Sequence, residues 1–189
     1  SFLQNKVAPL VKTAEGGAKE TFLAVNNRLR KENEDRITAI TRKSTPAIQW
    51  QGAFAQLSNS KVEANFADER TYTYNGEAID KAYHLGYDLS VTKHYPVEAA
   101  NAGTVAFAGD LGIYGNTVIL DHGLGLFTLY SHLSSIEVKE GETVKQRQHL
   151  GKTGETGLAG GDHLHYGVYL HGVAVLPVEW WDAKWIKDN

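Results

Sequence analysis

The sequence predicts a mainly β protein, a glycine-rich antiparallel sandwich or sheet, carrying an N-terminal helical arm. Three observations lead there. Five of the 19 glycines lie in the first hundred residues and 14 follow, so turn-forming residues concentrate in the second half. Short β-forming runs recur from Trp50 onward, separated by turn signals, as in antiparallel sandwiches and barrels. The charge also changes along the chain: residues 1–45 hold nine basic and five acidic side chains, residues 46–189 hold ten and 17. These shifts divide the chain into an arm or linker, 1–45, and a second unit, 46–189.

In the arm, Leu3, Val7, Leu10 and Ala14 predict a short helix that Pro9 starts or kinks. Gly16 and Gly17 interrupt it. Phe22, Val25, Leu29, Ile37 and Ile40 recur every three to four residues with charged residues between them, which predicts a second helix. Pro46 ends that helix, because the residue before proline is forced out of the helical region. A packing or spacer role is the simplest reading of the arm, ahead of a functional basic patch.

Beyond Trp50 the elements are strands. Residues 70–80 place β-formers on both sides of Asn75-Gly76, the strongest short hairpin signal. Further strands are expected between Pro96 and Ala108, over Asn116–Asp121, over Leu126–Ser131 and over His163–Leu170. Gly123-Leu-Gly125, Glu140-Gly141 and His171-Gly172 supply turns. The aromatic stretch from Glu179 to Ile186 reads as a C-terminal turn sealed onto the body.

Composition removes several function classes. The 189 residues, 42% apolar and 22% charged, suit one domain with a real core and exclude wholesale disorder. With no cysteine there is no disulfide, cysteine-type zinc finger, iron–sulfur site or thiol nucleophile. A net charge of −3 disfavours nucleic-acid binding by bulk charge. No apolar run approaches the roughly 20 residues of a membrane span. No methionine occurs, position 1 included, which predicts a mature or excised fragment. Gly151-Lys152-Thr153 ends like a phosphate loop, but the earlier glycine of that motif is replaced by Gln146. No G-x-S-x-G or H-E-x-x-H occurs.

The eight histidines are the informative residues. His94, His149 and His171 read as surface residues. His84 precedes Asp88 by four in an extended stretch, and imidazole with carboxylate suits zinc. His163 and His165 flank Leu164 on a strand, so both rings face one side and Leu164 faces a core. His132 ends the apolar strand that begins at Leu126. Taken singly, these have plain alternatives: a hydrogen-bonded pair, a solvated face, a strand-end polar residue. Taken together they supply three ligands for a catalytic zinc, and further imidazoles for acid–base work near neutral pH.

From about Trp50 to the C-terminus the sequence resembles the lysostaphin/LytM family of zinc endopeptidases. The resemblance rests on His84-x-x-x-Asp88, Tyr130-Ser-His132-Leu and His163-Leu-His165. Pro96-Val97-x-Ala99, Gly103-x-Val105, Tyr114-Gly115-Asn116-x-Val118, Asp121-His122-Gly123 and Gly154-x-Thr156-Gly157 also match in order. It implies a LytM-like, duplicated-hybrid-type β fold. It further implies that His84, Asp88 and His165 bind Zn2+, and that His132 and His163 are catalytic histidines, with their division of labour open. His122 is read as structural. The implied reaction is hydrolysis of peptidoglycan cross-links by zinc-activated water, with D-alanyl–diaminopimelyl bonds favoured over glycyl bonds. The implied location is the periplasm or cell envelope, with room for an anchor or regulatory domain upstream of residue 1.

Two departures, Arg147 and the Gly160-Gly161-Asp162 loop, touch no expected ligand and bear on groove shape. An oxyanion-assisting tyrosine is expected among Tyr72, Tyr74 and Tyr83. The resemblance also leaves two rivals: a catalytically silent envelope adaptor that activates other wall hydrolases, and a wall-binding module with incidental histidines. A basic arm lying over an acidic groove would make the enzyme latent.

Overall fold

The structure is a computed structural model that describes residues 2–11 and 16–189. The arm opens with a π-helical turn, Leu3–Val7, and a 3-10 turn, Ala8–Leu10, with Pro9 in its first positions. Leu3, Val7 and Leu10 thus share a short helical stretch, and Ala14 lies outside the described residues. Helix α1, Ala18–Leu23, runs through a π-helical turn, Ala24–Leu29, into α2, Arg30–Thr41. The helix stops at Thr41, before Pro46. The physical reason lies in the tertiary structure. The Asp121 carboxylate accepts the Ser44 hydroxyl at 2.6 Å and the Thr45 amide at 2.7 Å, and Leu124 N–H donates to the Thr45 carbonyl. These bonds hold the backbone extended ahead of the proline.

Thirteen strands follow: β1 Lys61–Ala64, β2 Glu69–Tyr74, β3 Glu77–Tyr83, β4 Tyr87–Ser90, β5 Pro96–Glu98, β6 Gly103–Asp110, β7 Asn116–Gly123, β8 Leu126–Leu133, β9 Ser135–Ile136, β10 Thr143–Val144, β11 His149–Lys152, β12 Leu164–Leu170 and β13 Val173–Val175. Helices α3, Pro177–Trp181, and α4, Ala183–Asp188, close the chain. The main sheet is antiparallel with order β1-β4-β12-β8-β7-β6-β10, and β13 pairs with β12. A second sheet has order β5-β11-β9, and β2-β3 is a separate hairpin. At its tip Asn75 and Gly76 both have positive φ, 51° and 85°, the geometry of a type I′ turn.

Alternation along the central strands makes two cores. Leu126 and Tyr130 of β8, with Leu164, Tyr166 and Val168 of β12, join the first core, which also takes Val97 of β5 and Leu150 of β11. Trp50, Trp180 and Trp181 pack against it, so the C-terminal aromatics are a seal, as expected. Phe127 and Leu129 of β8 and Tyr169 of β12 join the second core. Its other partners include Val7, Phe22, Val25 and Ile37, so the arm covers this second face of the sheet. His165, between Leu164 and Tyr166, points to the arm's side.

Candidate metal centre

The strand register brings the expected residues together. Asp88 on β4 pairs directly with His165 on β12, and side chains opposite each other on antiparallel strands are neighbours. His84 lies just before β4, where its N–H donates to the Asp68 carbonyl and its C=O accepts from Ala67 N–H. His84 Nε2 is 2.9 Å from Asp88 Oδ1 and 2.9 Å from His165 Nδ1, and the third side of this triangle is 3.0 Å. Gly86 permits the close packing. A Cβ there would sit 2.4 Å from the Tyr166 carbonyl oxygen and 2.8 Å from the His165 ring.

The donor chemistry of this triangle fits a cation. His84 Nδ1 lies 2.8 Å from the Asn65 carbonyl, which can only accept, so that nitrogen carries the proton and Nε2 presents a lone pair. Asp88 Oδ1 is an acceptor as well. Two facing acceptors at 2.9 Å repel unless a positive charge lies between them. His165 Nδ1 can offer one proton at most, and that cannot satisfy both. The remaining ring nitrogen, His165 Nε2, is buried without a hydrogen-bond partner among the described residues. Two imidazoles and a carboxylate are a donor set for zinc, with a fourth place left open in catalytic sites.

The electrostatics agree. Burial works to raise the Asp88 pKa, but the close approach of the His163, His165 and His84 rings overcomes it and holds the carboxyl well below its usual range. Burial lowers His165 to about 4 against the pull of Asp88. Burial, with His163 and His165 nearby, lowers His132 to about 3. For His163 burial is opposed by the Asp88 contact and the net direction is upward.

His132 and His163 stand beside the triangle. Their ring centroids are 4.8 Å apart, and His132 is 6.0 Å from His165. His132 Nδ1 donates to the Thr156 carbonyl at 2.9 Å and His163 Nδ1 to the Gly161 carbonyl at 2.8 Å. Both bonds leave Nε2 as the free nitrogen of a neutral ring. His163 Nε2 is 3.5 Å from Asp88 Oδ1. His132 has φ 63°, a left-handed conformation that costs a non-glycine residue about 1–3 kcal/mol and recurs at functional sites.

A cavity of about 280 Å³ opens over these five residues. Tyr72 and Tyr83 line it, whereas Tyr74 is not among its lining residues. Arg70, Tyr114, Phe22 and Arg30 are among the other wall residues, none of them expected there from the sequence. Tyr114 lies 5.7 Å from the His165 ring, and Phe22 packs on Tyr72 at 4.9 Å. Arg70 on the hairpin and Phe22 and Arg30 in the arm reach the site only through tertiary packing, which no local spacing marks; Tyr114, part of a motif that carries the family resemblance, comes from the turn between β6 and β7. His94 and His149 are exposed and flank Asp162 and Glu98, and His171 is an exposed turn residue.

His122 is of another kind. It is fully buried on β7, with Nδ1 donating to the Ala102 carbonyl at 2.7 Å and Nε2 accepting from Thr128 Oγ1 at 2.7 Å. Burial depresses it to about 4.

Comparison with known proteins places the chain in a family. The model of peptidase family M23 matches residues 82–177. The DD-carboxypeptidase/endopeptidase Mpg of Neisseria meningitidis is 40% identical over 95 residues, 50% of this chain and 22% of that protein. The chain therefore spans under a quarter of that relative's length. A solved structure of a peptidase M23 from Pseudomonas aeruginosa aligns with TM-score 0.67 and 30% identity, over 84% of this chain and 62% of the other. The catalytic domain of lysostaphin from Staphylococcus simulans aligns with TM-score 0.58 and 27% identity, over 69% of this chain and 98% of the other. The matched segment contains His84, Asp88, His132, His163 and His165, and on sequence and fold together the chain belongs to peptidase family M23.

Proposed function

We propose that this protein is a zinc-dependent endopeptidase that hydrolyses peptide cross-links of bacterial peptidoglycan outside the cytoplasm. The carrying observation is the convergence of His84 Nε2, Asp88 Oδ1 and His165 Nδ1 within 3.0 Å of one another, beneath a cavity edged by two further histidines. Zinc bound there would supply a Lewis acid and a water whose pKa falls to about 7. The protein's own residues do the remainder. His84 and His165 bring neutral imidazole donors, and Asp88 brings the balancing negative charge. His132 and His163, each oriented by a backbone carbonyl, offer Nε2 to take up a proton and to return one to the departing amine. In this reading residues 46–189 are the catalytic domain and residues 1–45 an arm whose Phe22 and Arg30 form part of the cavity wall.

The favoured bond is D-alanyl–diaminopimelyl. The name of the Neisseria relative, DD-carboxypeptidase/endopeptidase, supports a D,D-peptide substrate. Chromatography of peptidoglycan fragments after digestion tests the proposal. Loss of cross-linked dimers with matching gain of monomers, abolished by chelator and by His163→Ala, is the expected result and identifies the bond. A metal-loaded protein that leaves every wall preparation unchanged would replace this reading with that of a silent adaptor.

A further inference from the structure

The two oxygens of Asp88 have separate partners. Oδ1 faces His84, His165 and His163, whereas Oδ2 accepts from the Arg70 guanidinium at 2.8 Å. Arg70 comes from outside the main sheet. It lies on β2, in the hairpin whose strands pair only with each other. The hairpin is fixed from behind: Asn26 of the arm donates to Asp80 at 2.7 Å, Phe22 packs on Tyr72, and Lys81 pairs with Glu69 across the two strands. Arg70 thus reaches the carboxylate from a braced platform, and it is the only partner of Oδ2 among the described residues.

Asp88 is only 14% exposed, and its other oxygen belongs to the donor triangle. A carboxylate binds a metal through one oxygen or through both. With Oδ2 drawn toward a guanidinium, binding through Oδ1 alone is favoured. We propose that Arg70 is a positioning residue that restricts Asp88 to one-oxygen ligation and so keeps a coordination place open for water and substrate. The inference rests on the ligand assignment proposed above.

Cobalt substitution provides a readout independent of turnover, because visible absorption of Co2+ weakens markedly when coordination rises from four to five. The full chain and Arg70→Gln are compared, with Arg70→Lys as the conservative variant and circular dichroism of each metal-free protein as a folding control. Arg70→Gln is expected to bind one equivalent of Co2+ with a weaker band, and to lower kcat about 10–100-fold with little change in KM, the range for outer-shell residues of metal sites. Arg70→Lys should restore part of the band. A band in Arg70→Gln as strong as in the parent would overturn the inference. Failure of the parent itself to bind Co2+ or Zn2+ would instead defeat the ligand assignment, so the two failures are distinguishable.

Discussion

His122 and His165 are both buried imidazoles of the same sheet, yet their surroundings differ in kind. His122 belongs to a closed circuit. Its Nδ1 proton goes to the Ala102 carbonyl, so its Nε2 takes the Thr128 hydroxyl proton. Thr128 Oγ1, 2.9 Å from Tyr130, then accepts the phenol proton, and the phenol oxygen accepts from Ala100 N–H. Every polar group there has a partner. Around His165 the acceptors face one another and one ring nitrogen has no partner. Burial of a histidine therefore does not mark a site. A donor set that its own protons cannot satisfy does, since such a set is costly until a cation joins it.

The contrast is breakable by mutation. His165→Ala removes one corner of the triangle and should abolish both zinc binding and hydrolysis while leaving the far-ultraviolet spectrum unchanged. Retention of stoichiometric zinc would show that the triangle is not the site. His163→Ala should keep the zinc and lose about 10²–10⁴-fold in kcat, the usual contribution of a positioned acid or base. A loss below tenfold would remove His163 from the chemistry.

His122→Phe should behave oppositely. It leaves the Ala102 carbonyl without its donor and the Thr128 hydroxyl proton without its acceptor, at a cost of about 3 kcal/mol, which lowers Tm by roughly 10 °C. Zinc affinity should stay within about twofold of the parent, and a large drop would show that the two faces are coupled. The same residue gives a pH signature. Its folded pKa of about 4 lies below the ordinary 6.5, so the unfolded chain binds more protons between those values. Stability is complete above pH 6.5, falls as pH drops toward 4, and is level below that, with a total loss of about 3 kcal/mol at roughly 1.4 per pH unit. Urea unfolding at pH 7.5 and pH 4.5 should show this loss in the parent relative to His122→Phe. An identical pH slope in the two proteins would remove His122 as the cause. Gly86→Ala would set a methyl 2.4 Å from the Tyr166 carbonyl oxygen and 2.8 Å from the His165 ring, so β12 must shift, and zinc binding should weaken at least about tenfold.

Much of this was legible in the sequence for identifiable reasons. The period of two on β12 sets His163 and His165 against Leu164, and Leu164 is indeed in the first core. Asn75-Gly76 placed the hairpin because few other pairs accept two positive φ angles. The end of the arm helix was not legible, since Asp121, 76 residues beyond Thr45, draws the chain out at Ser44 and Thr45. Strands β9 and β10 have two residues each, too few for any periodicity. The apolar spacing of Phe22, Val25 and Ile37 showed a buried face but not its partner. For the same reason the contact of Arg70 with Asp88 appears only after the hairpin has folded over the site.

The arm also bears on how latency can be tested. Deleting residues 1–45 would strip Phe107, Leu111, Ile119 and Phe127 of their cover, so such a deletion confounds activity with stability. Point changes at Arg30 or Phe2, both on the cavity wall, avoid this.

The most direct test of the central claim is anomalous diffraction at the zinc edge from crystals of the full chain grown with zinc. One strong peak is expected, within bonding distance of His84 Nε2, Asp88 Oδ1 and His165 Nδ1. A peak on other residues, or none at this triangle, would contradict it.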